Sequence, residues 1–282
     1  MDLEKVFAKV NDTLTPQPAV RFSIERGELG IFDSKIGGVP YFPKDMEYPY
    51  GKSNSFQGQP LSLLAQLNFE RLPHIPDFPT KGILQFFIAA DDLYGMTPKY
   101  GDPRTRQENF RVIYHENIIT DESKLLSADE IPKYTGSEEC YLPFRGAYKL
   151  IAHEPEMMPV TTADFRFNEE FVKYYNELAD EPIDDFWDLE GELCDKFDKL
   201  CELMYRDIPD AVIGGYPVFT QWDPRIDDYL AECDVLLFEL ESVYKTDIDI
   251  RWGDMGTGSF LIPRDNLKAR DFSKVLYNYD CH

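Results

Sequence analysis

Residues 36–42 read IGGVPYF and residues 213–219 read IGGYPVF, so one chain writes Ile-Gly-Gly-x-Pro-x-Phe twice. The neighbours recur in the same order. PLSLLAQL (60–67) has its counterpart in CDVLLFEL (233–240), and FFIAADDL (86–93) in FLIPRDNL (260–267), at near-constant offsets (213 − 36 = 177, 236 − 63 = 173, 260 − 86 = 174). NFRVIY (109–114) faces DFSKVLY (271–277) at 272 − 110 = 162, because the second stretch lacks a counterpart of the loop around YGMTPKYGDPR. Collinear self-similarity is the mark of an internal repeat. It predicts an α+β fold of two duplicated β-rich units related by internal pseudo-symmetry. The units are expected at about 20–150 and 207–282, within one compact domain spanning 1–282. In each loop the glycines (Gly37 and Gly38, Gly214 and Gly215) allow backbone geometry closed to other residues. The proline (Pro40, Pro217) and the aromatic then fix and cover the turn. No phosphate-cradling pattern follows either Gly-Gly, so a structural role is expected of both.

Outward from these loops, periodicity supplies the elements. MDLEKVFAKVNDTL sets Leu3, Val6, Phe7, Val10 and Leu14 at helical spacing and predicts an amphipathic N-terminal helix. AVRFSIERG alternates as a half-buried strand does. Gly37 to Pro60 reads as a long ordered loop, since Tyr41, Phe42, Tyr48 and Tyr50 are too aromatic for a flexible linker. LSLLAQLNF, GILQFFIAA and FRVIYHE are strands, as are AVIGGYPVF, CDVLLFELE, DIDIRW, SFLIP and SKVLYNY. Between the units, about 168–206, Phe171, Tyr174, Leu178, Phe186, Leu189, Leu193, Phe197, Leu200 and Leu203 recur at three- and four-residue intervals. Two helices joined by DEPIDD and stopped by Pro209 form a helical insert there, with the acidic residues on a solvated face.

Composition bounds the function. Fifty-two acidic against 29 basic residues give a net charge of −23, which repels phosphate backbones and argues against nucleic-acid binding. The charge serves solubility, and an acidic face also suits a basic protein partner. The five cysteines (Cys140, Cys194, Cys201, Cys233, Cys281) are never arranged as C-x-x-C, so reduced thiols in a cytoplasmic compartment are expected. His74, His115, His153 and His282 show no metal-ligand spacing; neither a metal nor a cofactor is implied. The N-terminus lacks the pattern of a secretory signal and no apolar run reaches membrane-spanning length, so no membrane association is expected.

The catalytic patterns are equally sparse. No Ser-His-Asp or Cys-His grouping can be assembled from four scattered histidines. The adjacent pairs Asp91-Asp92, Asp184-Asp185 and Asp227-Asp228 would point to opposite faces of a strand and read as loop solvation. Asp247, Asp249 and Arg251 alternate onto one face, where ion pairing is the default. RWGDMGTGSF (251–260) is the most informative stretch. It reads as a tight turn with Trp252 capping the core, or as a recognition loop in which Trp252 is a flat platform and Asp254 an acceptor.

SKIGGVPYFPKDMEYP, LLAQLNFERLP, GILQFFIAADDLYG, ENFRVIY, IRWGDMGTGSFLIPRDNL and DFSKVLYNYDC together resemble the YwqG-like family of bacterial proteins, a domain of unknown function. The resemblance covers nearly the whole chain. It implies a compact duplicated α+β fold in the bacterial cytoplasm and no particular reaction. Some relatives are encoded near polymorphic toxins, which raises an immunity-type role. The chain departs from the pattern at Glu239, where a glutamine matching Gln66 is expected.

Two function classes follow. The first is a monomeric, non-catalytic binding or protein-interaction module with a basic protein partner. The alternative is an enzyme acting on a small polar substrate through carboxylate acid/base groups. A small-ligand site is expected where the two halves meet, with contributions from Gln66, Glu239, Trp252 and Asp254. The competing expectation is that Gln66 and Glu239 hydrogen-bond local backbone, as buried polar groups must.

Overall fold

The computed structural model describes residues 1–53, 56–96, 104–136, 141–205, 208–226 and 230–282. Cys140 and the pair Asp227-Asp228 therefore lie outside the described residues, as does most of the YGMTPKYGDPR loop. Strands alternate with loops in the order the hydrophobic runs dictate. They are β1 (Gln17–Glu25), β2 (Lys35–Ile36), β3 (Ser62–Asn68), β4 (Ile83–Ile88), β5 (Phe110–His115), β6 (Tyr148–Ala152) and β7 (Glu156–Met158). The second series is β8 (Ala211–Gly214), β9 (Val235–Glu241), β10 (Val243–Lys245), β11 (Ile248–Ile250), β12 (Thr257–Ile262) and β13 (Leu276–Asp280). The strands β2, β6, β7 and β10 and the short helix α4 (Arg264–Ala269) add to what periodicity predicts.

One antiparallel sheet holds eleven of these strands, in the order β13-β12-β9-β8-β1-β6-β2-β3-β4-β5, with β7 also on β1; β10 and β11 form a separate hairpin. The strand predicted to open the first half stands at its inner border, between β6 and the second half. β1 pairs with β8 through Ala19–Gly214 and with β6 through Phe22–Ala152, while β6 pairs with β2 through Lys35–Lys149. Within the sheet the strands of the first part of the chain thus stand together (β1, β6, β2, β3, β4 and β5), as do β8, β9, β12 and β13 of the second, and β1 and β8 join the two limbs.

The sheet curls until its limbs touch, nearly closing as a barrel. Phe86 of β4 lies 5.0 Å from Phe238 of β9 and 4.7 Å from Phe260 of β12, ring centre to ring centre. Aromatic pairs at this spacing add to the burial of their area. The edge strands β5 and β13 share no ladder; side chains and a connection close the seam. Phe110 packs 5.2 Å from Tyr277, the Tyr277 hydroxyl donates to the Tyr94 carbonyl at 2.9 Å, and Gln107 Nε2 donates to the Phe272 carbonyl at 2.7 Å. Tyr94 and Arg104, at the two ends of the stretch that the second unit lacks, both bond Tyr277 of β13 at the seam. Covering an edge in this way removes a template for aggregation.

The helices form a second layer. α1 (Leu3–Thr13) starts at Asp2, whose carboxylate accepts from Lys5 N at 3.2 Å, and buries Leu3, Val6, Phe7 and Val10. α2 (Phe165–Asn176) buries Phe167, Phe171 and Tyr175, and α3 (Glu192–Tyr205) contributes Phe197. Phe7 sits 5.6 Å from each of Phe167, Phe171 and Phe197, so the N-terminal helix and the insert share one apolar cluster. Cys194 and Cys201 lie against this cluster as free thiols. No helix among the described residues is long and apolar enough to cross a membrane.

Candidate functional site

Both Gly-Gly loops leave the sheet and fold back over its outer face. Gly37 and Gly38 (φ 63° and 73°) and Gly214 and Gly215 (φ 70° and 71°) all adopt the left-handed conformation that favours glycine. Space forbids a side chain too: a Cβ on Gly37 would lie 2.9 Å from the Gly146 carbonyl oxygen, and one on Gly214 would lie 2.3 Å from that of Pro18. The turn then delivers one backbone N–H, three residues after the second glycine, to a buried side chain on the strand below. In the first loop Tyr41 N donates to Gln66 Oε1 at 2.9 Å. In the second, Val218 N donates to Glu239 Oε2 at 3.1 Å. Pro40 and Pro217 are the buried residues immediately before these donors.

Gln66 is saturated. Its Nε2 donates to the Ile31 and Asp33 carbonyls, each at 2.9 Å, and its Oε1 also accepts from Gln85 Nε2 at 2.8 Å. Gln85 Nε2 further donates to the Tyr41 carbonyl at 2.6 Å. With that amide spent on acceptors, Gln85 Oε1 faces His115 Nε2 at 2.9 Å, so the histidine is the Nε2–H tautomer. Burial pushes its pKa down to about 4.

Glu239 occupies the matching place with different electrostatics. It is buried and accepts from Ser259 Oγ at 2.9 Å as well as from Val218 N. Its strand neighbour Glu241 accepts from Thr257 Oγ1 at 2.7 Å, and Asp280 of β13 accepts from Gln221 N at 3.0 Å. Burial, followed by the charge of Glu241, raises Glu239 well above the usual carboxylate range. Burial pushes Glu241 up to about 7, with Asp280 adding to the shift.

The four expected site residues have different surroundings. Gln66 and Glu239 hydrogen-bond the loops above them. Trp252 is buried in the core with its ring 5.4 Å from Tyr94 and 5.7 Å from Tyr279. Asp254 lies exposed on the turn, accepting from Met255 N at 2.9 Å. Asp249 pairs with Arg145 at 3.7 Å and Arg251 at 3.9 Å, an exposed ionic group.

Two other features stand out. The segment Trp222-Asp223-Pro224-Arg225-Ile226 turns its ionic residues and Pro224 inward and Trp222 and Ile226 outward. Arg225 is fully buried, donating to Asp223 at 2.6 Å and to Asp164, the N-cap of α2, at 2.9 Å; Asp223 also accepts from Phe165 N at 3.0 Å. Trp222 and Ile226 are 64% and 71% exposed. Trp187 is also exposed but leans on Phe186 of its own turn at 4.8 Å. Sequence reading passed over this segment because a tryptophan is ordinarily buried. The signal available was Asp-Pro-Arg set between two large apolar residues. The second feature is a narrow cleft at the second Gly-Gly loop, bordered by Arg166, Arg264 and Asp234 and by Pro76 and Phe78 of the other limb. No group of three or more His, Cys, Asp or Glu side chains among the described residues is arranged to hold a metal ion.

A family described as a domain of unknown function (DUF1963) matches residues 34–281. The chain belongs to this family. The matched span contains both Gly-Gly loops, Gln66, Glu239 and the Trp222 turn, and it omits α1 and β1. No curated protein matches the chain. Membership of DUF1963 brings no reaction with it, so function has to be argued from these sites.

Proposed function

We propose that the protein is a binding module that docks a basic protein partner through Trp222 and Ile226. The observation that carries this reading is the turn itself: two large apolar side chains are displayed while the residues between them are locked inside. A buried ion pair costs desolvation and gives little net stability, yet it fixes orientation. A tryptophan held in place loses little entropy on binding, and tryptophan leads the residues that dominate interface energies. The net charge of −23 steers a cationic partner towards the surface. The module works as a monomer in the bacterial cytoplasm, and an immunity-type role is the version that the YwqG-like resemblance suggests. The matching polar latches under the two Gly-Gly loops support a duplicated unit within a single domain.

The test is comparative capture from the source cells. A basic protein retained by the wild type, released by salt, and lost by the Trp222→Ser/Ile226→Ser double variant would support the reading. Equal retention by the variant would refute it. A second reading rests on Glu241, whose pKa near 7 suits proton transfer at neutral pH. Turnover in a hydrolase panel that vanishes in Glu241→Gln would favour an enzyme acting through carboxylates.

A further inference from the structure

The cleft at the second Gly-Gly loop is formed from parts of the chain remote in sequence. Gln17 and Pro18 come from β1, Pro76 and Phe78 from the loop after β3, Arg166 from α2, Gly214 to Tyr216 from the loop itself, and Arg264 from α4. Its two arginines are held by carboxylates. Arg166 grips Asp164 with Nε and Nη2, both at 2.7 Å. Arg264 donates from Nε to Asp234 at 3.2 Å and from Nη1 to Asp77 at 2.7 Å. Arg166 Nη1 and Arg264 Nη2 are left without a hydrogen-bond partner among the described residues. Both side chains keep about a third of their surface open, 33% and 39%.

The electrostatic setting is unusual for so acidic a chain. Around Arg166 and Arg225 stand Asp164 and Asp223; around Arg264 and Lys268 stand Asp77 and Asp234. Each group balances its cations with carboxylates, so these groups do not share the excess negative charge of the chain. Remote charges are screened over about 8 Å at physiological ionic strength. An anion entering the cleft meets two oriented guanidinium groups, the fork geometry that suits carboxylate and phosphate oxygens, beside the Asp234 carboxylate, whose charge is paired with Arg264. Pro18, Pro76, Phe78 and Val235 supply apolar wall.

We propose that this cleft binds a small ligand bearing one oxyanion, a carboxylate or a phosphoryl group, through Arg166 and Arg264, with a compact apolar body against Phe78 and Pro76. The site stands whether or not Trp222 and Ile226 dock a partner.

Phenyl phosphate, phenylacetate and the neutral analogue benzyl alcohol, each titrated into the full chain and followed by amide and arginine-side-chain NMR, test it. Saturable shifts of Gly214, Gly215 and the Nε–H groups of Arg166 and Arg264 are expected with at least one of the anions. Binding should weaken about tenfold or more for benzyl alcohol and for phenyl phosphate or phenylacetate with Arg264→Lys. The tighter anion identifies the phosphoryl or carboxylate source. The proposal is overturned if neither anion saturates by about 20 mM, if the shifts map elsewhere, or if benzyl alcohol binds as well as the anions. The shift map and the neutral analogue decide the matter on the wild-type chain even if the variant does not fold.

Discussion

On the outer face of the sheet, position 66 holds an amide and position 239 a carboxyl, while the loop above each asks for the same thing: an acceptor for one backbone N–H. The amide side is closed at any pH near neutral. Gln66, Gln85 and His115 form a chain in which the side-chain donors named have acceptors and the histidine stays neutral. The carboxyl side meets the same demand with groups that titrate. Glu239 is at its best when protonated, because a neutral carboxyl imitates the glutamine and spares the interior a charge. Two limbs of similar build therefore differ in their dependence on protons.

The largest expected effect is on the amide side. Gln66→Leu removes the acceptor for Tyr41 N and Gln85 Nε2 and the donor for two carbonyls, so about 4 kcal/mol of unfolding free energy should disappear. Urea denaturation measures it, and a loss under about 1 kcal/mol would show that the latch is dispensable.

Next in size is the pH response. Unfolded Glu241 titrates in the ordinary glutamate range and folded Glu241 at about 7. Between those values the folded chain holds more protons than the unfolded one, so this residue makes stability fall as pH rises, by on the order of 3 kcal/mol. His115 acts in the opposite sense. Its folded pKa is about 4 against an unfolded 6.5, so stability rises with pH across that window. The two slopes oppose each other in the wild type. In Glu241→Gln the part of the fall due to Glu241 is gone while that of Glu239 remains, so stability should fall less, or rise more, between about pH 4.5 and 6.5 than in the wild type; denaturation at a series of pH values would reveal an unchanged profile if the assignment is mistaken.

Smallest is the effect of Trp222→Ser with Ile226→Ser. These exposed side chains should contribute within about 0.5 kcal/mol to folding, whereas Arg225→Met, which strands Asp164 and Asp223, should cost about 3 kcal/mol or more. Thermal melts of both variants separate display from anchoring.

Much of this build is legible in residue order. Apolar alternation marks the principal strands, three- and four-residue spacing marks the three longer helices, and the paired glycines mark loops that need left-handed backbone. The partner of β1 is not legible, because period and propensity say nothing about which strand lies alongside. β6 and β7 escape because YKLIA and EMM are short and flanked by Gly, His and Pro. The Asp164–Arg225 contact joins residues 61 apart, and no local pattern encodes it. Gln66 and Glu239 stand out as aligned polar residues within apolar runs, but only coordinates show that each bonds its own Gly-Gly loop.

Reciprocal exchange at the two latches tests the account most directly. Gln66→Glu and Glu239→Gln should each be compared with the wild type by urea denaturation at pH 5 and pH 8. Glu239→Gln is predicted to be at least as stable as the wild type at pH 8, since an amide supplies the acceptor for Val218 N without a charge to bury. Gln66→Glu is predicted to lose more stability at pH 8 than at pH 5. If Glu239→Gln instead loses more than about 2 kcal/mol at both pH values, the carboxyl at 239 is not a stand-in for the amide at 66, and the two latches are not equivalent.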